Sequence, residues 1–125
     1  MTTKEIANRL VALCRENKYE QAQKELYAQD AVSIEPENSP GMSTVKGLDK
    51  IVEKGNQFQA MIEEFHGQEL SDPVIAGNYF SISLIMDVTF KGMGRMPMEE
   101  IATYKVENGK IVSEQFFYDS EPSNS

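Results

Sequence analysis

Three side chains are the candidates for moving a proton: Glu35, Asp87 and His66, the last being the sole histidine of the chain. A fourth acid, Glu99, is placed beside them by strand alternation. Two carboxylates brought together in a partly dry pocket repel each other, and one then keeps its proton into the range useful for general acid or base work. The registers that converge them follow from turn signals. A two-residue turn at Gly77-Asn78 sets Gln68 against Asp87 and His66 against Thr89. A three-residue loop at residues 92–94 sets Asp87 against Glu99. The Asn108-Gly109 turn sets Val106 against Ile111, Ile101 against Phe116 and Glu99 against Tyr118. One face then carries His66, Gln68, Ile85, Asp87, Glu99, Ile101, Phe116 and Tyr118, and the first strand adds Ser33 and Glu35. A one-residue slip substitutes Glu100 for Glu99.

The elements that must hold these residues are legible in outline. Thr2-Thr3-Lys4-Glu5 is a capping box, followed by Ile6, Leu10, Leu13 and Cys14 at helical spacing. Cys14 lies in that stripe and reads as a buried structural thiol. After Asn17-Lys18 a second helix presents Tyr19, Ala22, Leu26 and Tyr27. Residues 30–36 alternate as a short strand that stops at Pro36, residues 37–42 form a loop, and residues 43–46 return as a second short strand ended by Gly47. Residues 48–65 form the longest helix, with Leu48, Ile51, Gly55, Phe58, Ile62 and Phe65 as a narrow stripe. Gly55 there costs about 1 kcal/mol relative to Ala, which points to a close approach. A strand interrupted by Pro73 precedes a three-stranded meander over residues 79–119. The even face of residues 79–91 is wholly apolar and is expected to form the interface of a C2 homodimer through Leu84, Met86 and Phe117.

Composition bounds the function. The 125 residues suit one domain, expected over residues 1–119 with a polar tail at 120–125. A net charge of −8 argues against nucleic acid and anionic membranes as partners. No stretch spans a bilayer, and residues 2–15 lack the unbroken apolar run of a secretory signal, so a cytoplasmic protein is expected. With one cysteine and one histidine, no zinc site and no other metal or cofactor is expected.

The run Leu26-Tyr27-Ala28-Gln29-Asp30-Ala31-Val32-Ser33-Ile34-Glu35-Pro36, Gly47 before the third helix, and Asn108-Gly109-Lys110-Ile111 leading to Phe116-Phe117-Tyr118-Asp119 resemble the nuclear transport factor 2-like superfamily, and within it the SnoaL-like branch. The resemblance implies an α+β fold: a cone-shaped, curved antiparallel sheet wrapped around the long helix, with two further N-terminal helices and a pocket at one end. It also implies dimers formed through outer sheet faces. Glu35-Pro36 matches the position where ketosteroid isomerases of this superfamily carry an aspartate base followed by proline. Their oxyanion-hole groups would fall near Val11 and at Ile101, both aliphatic here. The Asp-Arg-Asp relay of limonene epoxide hydrolases would fall on Phe116, Ile85 and Asp87, of which only Asp87 fits. The single acid/base residue of SnoaL-type cyclases has candidates in Asp87 and Glu35. Two readings follow. One is a cofactor-free isomerase, cyclase or lyase acting on a small apolar, carbonyl-bearing molecule; the other is a non-catalytic ligand-binding or dimerisation module.

Overall fold

The computed structural model describes residues 1–37, 39 and 42–119. The expected polar tail and part of the expected 37–42 loop lie outside the described residues. The first helix, α1 (Thr3–Arg15), starts at the expected capping box: the Glu5 amide donates to Thr2 Oγ1 at 3.1 Å and the Thr2 amide to Glu5 Oε1 at 2.9 Å. It buries Ile6, Ala7, Leu10, Val11, Leu13 and Cys14, more than either other helix. Asn17, at φ 62°, breaks the helix, and α2 (Tyr19–Leu26) runs directly into β1 (Tyr27–Ile34). Tyr27 therefore belongs to the strand and not, as expected, to the helix; its pairing with Ile111 satisfies the backbone there. The short β2 (Val45–Lys46) returns antiparallel beside β1, and Gly47, at φ 106°, leads into α3 (Leu48–Met61).

The third helix ends four residues earlier than its apolar stripe suggests. Ile62 and Phe65 belong to β3 (Ile62–Leu70), where they pair with Phe90 and Val88. Sheet pairing outweighs helical spacing for β-branched and aromatic side chains. Gly55 meets no close neighbour: a Cβ there would lie 3.9 Å from the Gln23 side chain, an ordinary contact. The expected close approach is absent.

Pro73 separates β3 from β4 (Val74–Ala76), and the Gly77-Asn78 turn closes a two-residue hairpin into β5 (Tyr79–Phe90). The chain continues through β6 (Gly94–Glu107) and β7 (Lys110–Phe117). Together the strands form a curved, unclosed sheet in the order β2-β1-β7-β6-β5-β3, with β4 also on β5. All pairings are antiparallel except β1 with β7, which makes the sheet mixed.

Three registers differ from expectation. Phe90 pairs with Gly94, so the loop is residues 91–93 and Asp87 faces Pro97, not Glu99. Between Val74, which faces Ser81, and Leu70, which faces Leu84, the pairing slips by one residue, and this sets Gln68 against Met86. On the third strand pair, Val106 faces Ile111 as expected. Val112 is then the extra residue of a bulge, so Lys105 pairs with Ser113, Tyr104 with Glu114 and Ala102 with Phe116.

The even residues of β5 face the helices. Phe80, Ile82, Met86, Val88 and Phe90 are buried, Phe80 stacks on Tyr104 at 4.7 Å, and Phe58 meets Phe90 edge-on at 5.9 Å. The expected interface through Leu84, Met86 and Phe117 is corrected accordingly. Met86 is core and Leu84 packs against it, whereas Phe117 lies on the opposite face, 49% exposed. An unbroken apolar row is the cheapest face to bury, so the helices cover that side and leave the mixed one to solvent.

A candidate acid/base cleft beneath an aromatic wall

β7 leaves the sheet at Phe117, opposite Ile101, while β6 extends further toward Gly94. The gap opens a cleft of about 650 Å³, whose lining includes Glu35, Leu84, Glu100, Phe116 and Tyr118. The bulge at Val112 decides what it contains. By shifting β7 one residue against β6, it puts Glu114 and Phe116 on the same side as Tyr104, Ala102 and Glu100. Glu100, half-buried and set opposite Leu84, thus takes the inner place expected for Glu99.

Behind the cleft stands an ammonium. Lys54 projects from α3 and donates to Ser33 Oγ at 2.7 Å, Glu35 Oε2 at 2.8 Å and the Ser43 carbonyl at 3.1 Å. Its Nζ also lies 5.7 Å from the centre of the Phe116 ring. The other oxygen of Glu35, Oε1, accepts from the Tyr118 hydroxyl at 2.6 Å, and Tyr118 is hydrogen-bonded in turn to Ser39. Deeper still, Tyr27 donates to Glu114, which is 3% exposed.

Electrostatics separates the three inner carboxylates. Glu35 has both oxygens occupied. Glu114 is pushed above the ordinary carboxylate range by burial, against the opposing hydrogen bonds from Ser33 and Tyr27. Glu100 is raised to about 7, first by burial and then by the negative charges of Glu35 and Glu114, with Lys54 opposing. Burial, and then the bond to Glu35, raises the Tyr118 hydroxyl. Cys14, pushed up to about 12 by burial, is not a nucleophile in waiting.

The sequence-derived candidates are divided between the two faces. Ser33, Glu35, Phe116 and Tyr118 meet at the inner site, while Ile85, Glu99 and Ile101 form the outer rim of the same cleft. Gln68 is turned inward but is held elsewhere: it accepts from Tyr19 and donates to the Cys14 carbonyl at 2.7 Å. Asp87 and His66 do not line this cleft and lie apart from the inner group, on the side of the sheet that carries the odd residues of β5. Asp87 is bound by Arg95 at 2.8 and 3.1 Å, and the Arg95 hydrogen bonds hold its carboxyl below the ordinary range. His66 Nε2 sits 2.8 Å from Thr89 Oγ1 and 3.4 Å from Glu64, although the register pairs Thr89 with Glu64 and leaves His66 at a bulge, not opposite Thr89 as expected. The four expected groups therefore do not converge.

Lys54, Glu114 and Tyr27 were not anticipated. Lys54 stands three residues after Ile51 and four before Phe58, so its place on the inward stripe was the available signal. Glu114 shares strand parity with Phe116 and Tyr118, which was its available signal, while the bulge decides that Glu100 joins it. Among the described residues, no group of three or more His, Cys, Asp or Glu is placed to hold a metal ion, and no helix is long and apolar enough to cross a membrane.

Comparison with known proteins agrees with this architecture. Residues 1–118 match the family model described as a SnoaL-like domain. A solved structure from Mesorhizobium loti, described as a candidate SnoaL-like polyketide cyclase with the further designation carbohydrate phosphatase, is 33% identical. It superposes with a TM-score of 0.87 over 94% of this chain and 100% of that one. An NTF2-like protein from Burkholderia thailandensis is 19% identical, with a TM-score of 0.82 over 96% and 92%. A ketosteroid isomerase-like protein from Catenulispora acidiphila, solved with trimethylamine, is 21% identical, with a TM-score of 0.72 over 92% and 85%. Among curated proteins, none matches the chain. With the family model spanning nearly the whole sequence and the Mesorhizobium relative superposing on it, the chain belongs to the SnoaL-like family, on an NTF2-like α+β fold.

Proposed function

We propose that the protein is a cofactor-free acid/base catalyst in which Glu100 moves a proton on a small, largely apolar, carbonyl-bearing molecule. The observation that carries this reading is the position of Glu100: half-buried in a cleft beside Phe116 and Leu84, with a proton affinity near neutrality. A base with that affinity takes a proton from the carbon next to a carbonyl and returns it elsewhere on the same molecule. The C–H bond breaks, the O–H bond forms on Glu100, and the electron pair moves onto the carbonyl oxygen. Tyr118 lines the same cleft and is the hydroxyl that can turn from Glu35 toward that oxygen. Glu35, which stands where the isomerase resemblance puts the base, is better suited to hold Lys54 and Tyr118, since both of its oxygens accept hydrogen bonds.

The ligand carries no negative charge in this reading. Glu35, Glu37, Glu99, Glu100 and Asp119 line the cleft, and the ammonium behind it has spent all three of its N–H groups. The residues outside the described set contain no lysine or arginine to offset this. That the related Catenulispora protein holds trimethylamine supports a neutral or cationic ligand here.

The test is a carboxyl ¹³C titration by NMR, paired with hydrogen–deuterium exchange at the α-carbon of a cyclic ketone probe. Glu100 should titrate near 7, and Glu100→Gln should slow the exchange by about 10²-fold or more. A Glu100 midpoint at the model-peptide value ends the acid/base reading. The alternative, a binding module, is favoured by the occupation of both Lys54 and Tyr118 by Glu35, which leaves an oxyanion without a ready donor. It requires probe binding without catalysed exchange.

A further inference from the structure

Glu114 lies too deep to touch a ligand, being 3% exposed in β7. An apolar side chain of similar size would fold at lower cost, so a carboxylate in this place has some other use. Its surroundings suggest one. β1 runs parallel to β7 with Ser33 directly opposite Glu114, and Ser33 is fully buried. The Ser33 oxygen accepts from Lys54 at 2.7 Å, which leaves the Ser33 proton free to turn toward its strand neighbour Glu114. Tyr27 donates to the same carboxylate from the start of β1. The remaining Lys54 protons go to Glu35 at 2.8 Å and to the Ser43 carbonyl at 3.1 Å. The ammonium thus stands at the end of a row in which Glu114 lies beside Ser33 across the strand pair and Ser33 receives Lys54.

We propose that Glu114 is a positioning residue: by drawing the Ser33 proton toward itself it aims the Ser33 lone pairs at Lys54, and so latches the ammonium onto Glu35 and away from Glu100. The inference rests on the reading of Glu100 as the proton carrier. The titratable groups acting on or near Glu100 are Glu35 after β1, Lys54 from α3, Glu114 from β7, Tyr118 beyond it, Tyr19 from α2 and Tyr104 from β6; β5 contributes the apolar Leu84. Lys54 already acts on the charge of Glu100. Released from Ser33, it gains Glu100 as an alternative partner. A direct ion pair there keeps Glu100 ionised at neutral pH and removes it from proton transfer.

The experiment reads two signals in the full chain, the ¹⁵N-detected ammonium group of Lys54 and the ¹³C carboxyl of Glu100, in the unmodified protein, Glu114→Gln and Ser33→Ala. In the unmodified protein the Lys54 ammonium protons should be protected from exchange with water, as those of free lysines are not. In Glu114→Gln the amide faces Ser33 with a donor, and in Ser33→Ala the acceptor is gone. Both variants should lose the protection, and the Glu100 midpoint should fall by about 1–3 pH units as Lys54 changes partner. Folded variants with an unmoved Glu100 midpoint overturn the proposal. So does an unprotected Lys54 ammonium in the unmodified protein, a result that needs no variant to fold. A Glu100 midpoint at the model-peptide value, with Lys54 protected in the unmodified protein and released in the variants, removes the acid/base reading and leaves the latch.

Discussion

Lys54 Nζ and Glu35 Oε2 meet at 2.8 Å with side-chain exposures of only 11% and 6%, joining α3 to the end of β1 behind the cleft. Removing one partner of such a pair strands the other charge. Lys54→Met should destabilise the fold by about 3–5 kcal/mol, and Glu35→Leu combined with Lys54→Met should recover most of the loss. Urea unfolding of the two variants decides it. A loss below about 1 kcal/mol for the single variant would mean that the pair is effectively solvated.

Glu100 makes stability depend on pH. Its folded proton affinity is raised from 4.5 to about 7, so the folded state binds more protons than the unfolded one between those values. Stability from this group is greatest below about pH 4.5 and falls as pH rises through about 7. The full loss is on the order of 3 kcal/mol. Glu100→Gln should match the unmodified protein at low pH and exceed it in stability at pH values above 7.

Ligand charge is the third expectation. Choline, 3,3-dimethylbutan-1-ol and 3,3-dimethylbutanoate share a shape and differ in charge. Amide shifts at Leu84, Glu100 and Phe116 should show choline binding about 10-fold more tightly than the neutral alcohol, with the anion weakest. Tighter binding of the anion contradicts the charge argument.

The outer face of the sheet carries an apolar patch at Ile85, Ile101 and Phe117, which are 39%, 50% and 49% exposed. Ile101 faces Phe117 directly and Ile85 diagonally across β5, so the three are contiguous. We propose that the homodimer forms through this patch. Light scattering should give a dimer mass for the unmodified protein and a monomer mass for Ile101→Lys; a monomer in both cases rejects the interface.

Gly55 is the fifth position to test. With only the Gln23 side chain at 3.9 Å from a built Cβ, Gly55→Ala should stabilise α3 by about 0.5–1 kcal/mol. A melting temperature that falls instead would reveal a packing constraint at that position.

Local features of this protein were legible before folding. The Thr2 capping box, the Gly77-Asn78 and Asn108-Gly109 turns and the alternation of β5 are encoded by neighbouring residues, and each holds in the structure. The family likeness followed from the same short runs, and Ser33, Glu35, Phe116 and Tyr118 were found through it and through parity. The wholly apolar even row of β5 marked a face to be buried, but not whether a helix layer or a second copy would bury it, and only the packing of the helices decides that. The bulge at Val112 was not legible either. Its single extra residue depends on how β6 and β1 together hold the two edges of β7, and no residue of β7 announces it. That one residue brings Glu114 and Phe116 to the side of the sheet that carries Glu100, where Lys54 of α3 already stands. Strand parity is a local property, whereas register is settled between segments far apart in the chain. The chemistry of this cleft was therefore decided by tertiary pairing, although every residue in it was visible from the start.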